Sequence, residues 1–253
     1  MNRPIAIEPE FAEAISQRPR PQRRNRVARD AIIDAAEKLF IDKGYHGTRV
    51  SEVARVADVS IGSIYVHFEN KEGLYAALME RALDIEARYF SAVFDDESIP
   101  DLEKIISLGE AYLQFFRDHP AYFRMLMIPH EDVPEATADT AIGRRVVARG
   151  NRQRERLAEV IAACIEQGIL RDDIDPEKAA YFWWAAWNGV ISLTLRRDQL
   201  VLDPESLADV ILEGRRMIAQ GMAASAMRTA DGGVLPEFRD RLNRMTTNIR
   251  IED

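Results

Sequence analysis

Ser60, Ser63, Tyr65 and His67 fall within eight residues, with Gly62 among them and Lys71 just beyond. On a helix, residues 62, 63, 66 and 67 share one side, and 65 borders it. Such a face suits contact with DNA. Hydroxyls donate to base edges or phosphates, and a glycine lets the backbone come close. Lys71 opens the next helix, where its charge and free N–H groups suit a phosphate. Thr48 and Arg49 stand where a preceding short helix begins, Thr48 as its cap. Upstream, Arg18, Arg20, Arg23, Arg24, Arg26 and Arg29 run with no acid among them, the next being Asp30. Of this basic arm, Arg23, Arg24 and Arg26 could reach a minor groove. Tyr65 or His67 alone could equally well cover a helical core, so it is the whole group that points to DNA.

Two other groups carry chemistry. Tyr112, Phe115, Phe116, Tyr122, Phe123, Met125, Leu126 and Met127 crowd one stretch; Phe182 and all three tryptophans, Trp183, Trp184 and Trp187, crowd another. At helical spacing they form either a plain core or the wall of a cavity for a hydrophobic or amphipathic molecule. For the cavity, Tyr112, Phe116, Phe123, Met127, Trp184, Trp187 and Asn188 are the candidate ligand contacts, Asn188 and Tyr112 supplying polar groups. Arg145, Arg149, Arg152 and Arg156 share a helix face. That face either pairs with acids or meets an anion such as a carboxylate.

The elements that hold these residues are all helical. Strand signals are absent, and no proline interrupts Gln22 to Ile99. Ala28, Ile32, Ala35, Ala36 and Leu39 make one apolar stripe, and Gly44 ends that helix. Two helices too short to stand alone follow at 48–68, with Val50, Val53, Ala54 and Ala57 inward on the first. Ser60 caps the second, with Ile61, Ile64 and Phe68 inward. Their joint, Ala57-Asp58-Val59-Ser60, has helix-turn-helix length, and Asp58 tolerates the left-handed conformation such a turn needs. Longer helices are expected at about 71–94, 101–118, 136–167, 176–197 and 204–228. A short one follows Pro120, 128–135 forms a loop, and a weak helix spans 236–246. Gly189, Gly214 and Gly221 would permit close packing of the last long helices.

Composition narrows the function classes. The chain has 253 residues, net charge −8 and one cysteine. Residues 1–80 balance 12 basic against 12 acidic side chains, so the excess acid lies in the remainder. No stretch reads as a membrane span or a signal peptide, which makes the cytoplasm the expected compartment. Cys164 falls on an inward helix face and is expected to be inert. Catalysis is not expected: His119, His130, Glu131 and Asp132 lack a helical ligand spacing, and there is neither a nucleophile elbow nor a phosphate loop. No metal or cofactor is expected.

The stretch AIIDAAEKLFIDKGYHGTRVSEVARVADVSIGSIYVHFENKEGLYAALME resembles the DNA-binding domain of the tetracycline-repressor (TetR) family of bacterial regulators. Phe40, Gly44-Tyr45, Thr48, Val53-Ala54, Val59-Ser60, Gly62 to Tyr65, His67-Phe68 and Lys71-Glu72 carry the resemblance. It implies a three-helix helix-turn-helix head followed by a helical domain that binds an effector and dimerises. Thr48, Ser63, Tyr65, His67 and Lys71 match positions that commonly touch DNA. Ile61 and Val66 depart from the pattern, and Arg49 could restore charge. The chain then divides into a flexible tail with the basic arm at 1–22, a DNA-binding domain at 23–80, an effector and dimerisation domain at 81–228, and a tail at 229–253. The implied partners are a pseudo-palindromic operator in double-stranded DNA, a small-molecule effector and a second copy of the chain, with no membrane. The implied function is a repressor released by its effector; the alternative is a helix-turn-helix factor that binds DNA or a partner without one.

Overall fold

The structure is a computed structural model that describes residues 20–127, 140–196 and 198–243. Helices α1 (Arg20–Gly47), α2 (Val50–Val56), α3 (Ile61–Phe68) and α4 (Lys71–Phe94) come first. After them come α5 (Asp101–Asp118), α6 (Pro120–Met127), α7 (Ala141–Glu166), α8 (Pro176–Leu193), α9 (Leu207–Met222) and α10 (Pro236–Asn243). Among the described residues β structure is limited to two isolated bridges. The chain divides into two compact units that part between Leu78 and Met79, inside α4.

In the first unit the centre of the α1 stripe, Ile32, Ala35 and Ala36, is buried at 3% exposure or less; Ala28 and Leu39 are only partly covered, and Ile33 and Phe40, outside the expected stripe, join the core. They meet Val53 and Ala54 of α2, Ile64 and Phe68 of α3, and Leu74, Tyr75 and Leu78 of α4. Each large apolar side chain so buried contributes about 1.5–3 kcal/mol, which is how helices of seven and eight residues hold their shape. Gly44 breaks α1 with φ +72°, a conformation glycine adopts without strain. The chain then turns Tyr45 inward against Phe40 and Tyr75, with ring centroids 5.9 and 5.3 Å away. The proline-broken tail expected through residue 22 is helical from Arg20. Pro21 sits in the first turn, where its missing N–H costs nothing.

In the second unit Tyr112, Phe115 and Phe123 are fully buried and stack about one another, with Phe90 alongside Tyr112. Trp187 lies against Gly109 so closely that a Cβ there would come within 2.0 Å of the indole. Cys164 is fully buried, and burial pushes its thiol up to about 12, so it stays protonated. Asp175 caps α8 by accepting from the N–H groups of Glu177 and Lys178, with Pro176 in the first turn.

Three helix ends differ from the spacing. Helix α8 stops at Leu193 rather than 197, because the Leu193 carbonyl takes the N–H of Leu202 as the chain folds back. Helix α9 starts at Leu207, one turn after Pro204, since residues 203–206 form a turn closed by Ser206 N–H on the Asp203 carbonyl. It ends at Met222 rather than 228. There Ala224 N–H donates to Ile169 and Arg171 N–H to Met222, clipping the strand-like segment after α9 to the one after α7. Residues 229–243 are not a loose tail. Phe238 is 2% exposed, and Arg241 makes a two-pronged ion pair with Glu103 at 2.6 and 2.7 Å. The start expected for α7 at 136, the loop at 128–135 and the segments 1–19 and 244–253 lie outside the described residues.

Candidate DNA-binding surface and effector cavity

The turn between α2 and α3 has the geometry a recognition helix needs. Asp58 takes φ +54°, and Val59 N–H returns to the Ala54 carbonyl at 3.0 Å. Ser60 Oγ then accepts the Ser63 N–H at 3.1 Å, satisfying one free donor at the start of α3. With Ile64 and Phe68 pinned inward, the opposite side carries Gly62, Tyr65 at 49% exposure and Val66 at 82%. Ser63 and His67 flank that side and are partly exposed. A side chain at Gly62 would meet only Ser60 Oγ, at 3.8 Å, so the backbone here is open to an approaching surface.

Two expectations fail in this unit. Ile61 is 45% exposed rather than inward, because the cap at Ser60 sets the register from Ile64 onward. Thr48 neither caps α2 nor faces solvent. It is 1% exposed, and its hydroxyl is shared between the carbonyls of Leu39 (3.0 Å) and Gly44 (2.8 Å), left open by the helix break. The α2 N-cap is Arg49, whose N–H donates to Glu52 in the first turn and whose side chain is exposed. Thr48 therefore positions α2 and has no hydroxyl free for a phosphate.

Lys71 is held in place. Its ammonium sits 4.3 Å above the Tyr45 ring, and Tyr45 donates to Glu72 at 3.0 Å. Partial burial lowers the Lys71 pKa and raises that of Tyr45. Asn70 caps α4 by accepting the Gly73 N–H at 2.7 Å, and a Cβ on Gly73 would fall 2.0 Å from the Phe68 carbonyl oxygen. The exit from α3 and the entrance of α4 are thus a fixed corner. Arg26 is exposed on α1, with Asp30 4.0 Å away. Arg23 and Arg24 lie on the same helical backbone, but their side chains lie outside the described residues.

The second unit contains a cavity of about 380 Å³ within the range of small-molecule sites. It is walled by α4 residues Met79, Leu83, Glu86, Phe90 and Phe94, by Val146, Gly150, Gln153, Arg154 and Leu157 of α7, and by Tyr181, Trp183 and Trp184 of α8. Of the six expected ligand contacts whose side chains are described, only Trp184 lines it. Tyr112 and Phe123 are fully buried core. Tyr112 donates to Asn188 instead of facing a ligand, and Phe116 packs edge-on against Phe123 at 5.0 Å. Trp187 walls a separate, smaller apolar hollow of about 90 Å³ formed by α5, α8, α9 and α10. The side chain of Met127 lies outside the described residues.

The missed contacts are Glu86, Phe90, Phe94, Gln153, Arg154 and Tyr181. A lone acid on an apolar helix face was the available signal for Glu86. Three of the four arginines of the arginine face are paired. Arg145 bonds Glu80 at 2.9 Å, Arg149 pairs with Asp84, and Arg156 pairs with Asp95, all on the α4 side. His119 packs on Tyr89 and Phe115; His130, Glu131 and Asp132 lie outside the described residues.

The family model for bacterial regulatory proteins of the tetR family matches residues 32–78, and that for the tetracyclin repressor-like C-terminal domain matches residues 105–214. The chain belongs to the TetR family. It is 28% identical to the transcriptional repressor KstR2 of Mycobacterium tuberculosis over 58% of this chain and 71% of that one. With the transcriptional regulator RutR of Escherichia coli it shares 27% identity over 74% and 89%. The structure of AibR in complex with isovaleryl coenzyme A and operator DNA shares the fold, with TM-score 0.54 at 23% identity, covering 73% of this chain and 95% of that one. As a TetR-family member the chain is a DNA-binding transcriptional regulator rather than an enzyme. No helix among the described residues is long and apolar enough to cross a membrane.

Proposed function

We propose that this regulator is a cytoplasmic repressor. As a dimer it binds a pseudo-palindromic operator, and an effector in the α4–α7–α8 cavity releases it. The observation that carries the reading is that one chain holds both an exposed recognition face on α3 and a cavity with α4 in its wall. Gly62, Ser63, Tyr65 and His67 face the major groove, Arg49 and Lys71 the phosphates, and Arg23, Arg24 and Arg26 a neighbouring minor groove. Val66 offers a methyl contact to thymine. An effector that displaces α4 tilts its first turn, and Lys71 moves off its phosphate. By linkage, operator and effector weaken each other's binding by one common factor.

The dimer rests on α8 and α9. Phe182 and Leu193 on α8, with Val210 and Met217 on α9, are exposed. Gly189, Gly214 and Gly221 do not serve close packing within the chain, since nothing stands within 4 Å of a Cβ at any of them. Apolar side chains beside open glycines suit a two-fold contact with a second copy.

The test titrates the full chain onto labelled DNA from upstream of its own coding sequence, beside a scrambled duplex, at two salt concentrations. Tight binding to the first alone is expected. Equal and equally salt-sensitive binding to both would leave only electrostatic attraction. Binding to neither would favour a factor that acts through a protein partner.

A further inference from the structure

The polar groups of the α4–α7–α8 cavity say what kind of molecule it accepts. Glu86 is 4% exposed and makes no hydrogen bond or ion pair among the described residues, yet it lines the cavity. Gln153, also in the wall, has its Oε1 buried with no donor. Two acceptors therefore lack partners in one apolar chamber, and a buried acceptor without a donor is costly. The one cation among the described wall residues is already engaged. The Arg154 guanidinium donates to Asn151 Oδ1 at 2.9 Å and lies 4.0 Å over the Tyr181 ring. On the neighbouring face Arg145, Arg149 and Arg156 pair with Glu80, Asp84 and Asp95. Phe90, Trp183 and Trp184 supply aromatic rings, which attract cations, whereas the Phe94 ring already carries the Arg156 guanidinium at 4.3 Å.

We infer that the effector is a lipophilic amine, its protonated nitrogen donating to Glu86 and Gln153 and its hydrocarbon or aromatic body lying against the rings. This inference rests on the cavity being the effector site and adds the chemical class. A carboxylate ligand of the same shape takes at most one hydrogen bond, from the protonated Glu86, then faces the Gln153 oxygen without a donor and an Arg154 already engaged, so it binds more weakly. Burial pushes the empty Glu86 carboxyl up to about 8. An arriving ammonium favours its ionised form, so binding near neutral pH releases a proton from Glu86 to solvent. Tyr181 and Trp184 line the cavity and are 51% and 43% exposed, so the amine enters from their side.

The experiment compares 4-phenylbutylamine, 4-phenylbutanol and 4-phenylbutyrate, which share one body and differ in the head group. Binding to the full-length protein is read by tryptophan fluorescence and by thermal shift. The amine is expected to bind at least about tenfold more tightly than the butyrate, with the alcohol between them, a gap of about 1.4 kcal/mol. Glu86→Gln is expected to erase the difference between amine and alcohol while the alcohol still binds. The ranking in the wild-type chain needs no variant, so a folding defect in Glu86→Gln leaves the test intact. A butyrate that binds as well as the amine overturns the amine assignment and leaves the effector cavity standing. Failure of all three to bind overturns the cavity as an effector site as well.

Discussion

The two units present their working residues in opposite directions. In the first, the side chains assigned to DNA point out of the protein, and the core behind them is built from the residues in between. In the second, the assigned residues point into an interior that also contains the core. Spacing separates outward from inward on α3, where Ile64 and Phe68 alternate with Gly62, Tyr65 and Val66. It cannot separate lining from core on α5, where Tyr112 and Phe115 are both wholly buried and neither reaches the cavity. An outward site is written in which residues are polar; an inward one depends on packing between helices distant in sequence.

The strongest probes of this contrast are the two glycines with no room for a methyl group. Gly73→Ala drives a carbon into the Phe68 carbonyl oxygen, which is backbone and cannot swing aside. A loss of about 3 kcal/mol or more in urea unfolding is expected, together with loss of operator binding. Gly109→Ala meets the Trp187 ring, a side chain that borders the smaller hollow rather than backbone, so a smaller loss of about 1–2 kcal/mol is expected, with a change in tryptophan emission. If the two variants lose stability equally, the corner between α3 and α4 is not the rigid joint described above.

Glu86 makes the second unit sensitive to pH. Its carboxyl titrates at about 8 when folded, well above its ordinary value. The folded chain keeps a proton that the unfolded chain releases. The stabilisation this gives is complete below the ordinary carboxylate range and is lost as pH rises through 8. Among the described residues Tyr112, Tyr181 and Arg154 are the other ionisable groups in this surrounding, and burial keeps Tyr112 protonated throughout. Glu86→Gln is therefore expected to gain stability over the wild type between pH 5.5 and 8.5, by roughly 2 kcal/mol, in paired melts. A constant gap across that range would mean that Glu86 is not desolvated.

Smaller effects distinguish positioning from contact in the head. Thr48→Val removes the donor shared by the Leu39 and Gly44 carbonyls and should cost about 1–2 kcal/mol, weakening all DNA binding through the fold. Lys71→Ala should leave stability nearly unchanged, weaken binding to every duplex and lower the salt slope by about 1. An unchanged slope would remove Lys71 from the phosphate contacts. Smallest of all, Arg149→Ala is expected to change stability by less than about 0.5 kcal/mol, since its pair with Asp84 is solvent-exposed.

Helix type, the break at Gly44, the cap at Ser60 and the left-handed Asp58 were all legible in the sequence, because each is a local preference of one residue in its neighbourhood. Thr48 misled because a capping residue type two positions before a helix reads as a cap, whereas its true acceptors lie four and nine residues back. The end of α9 was hidden because the carbonyl that draws the chain away belongs to Ile169, more than fifty residues earlier. Glu86 was passed over because an acid among apolar neighbours resembles a surface residue until the helices around it are in place.

The docked helix α10 has a practical consequence for anyone handling this protein. The end of the family match at residue 214 invites a shortened version, yet Phe238 is sealed into the second unit and Arg241 pairs with Glu103. Trimming the chain before Pro236 would uncover Leu102, Ile106 and Ile211 in the hollow beside Phe238 and take from Glu103 its two-pronged ion pair with Arg241. Such a fragment should be sticky and short-lived in storage, and its poor behaviour would be mistaken for a property of the effector site.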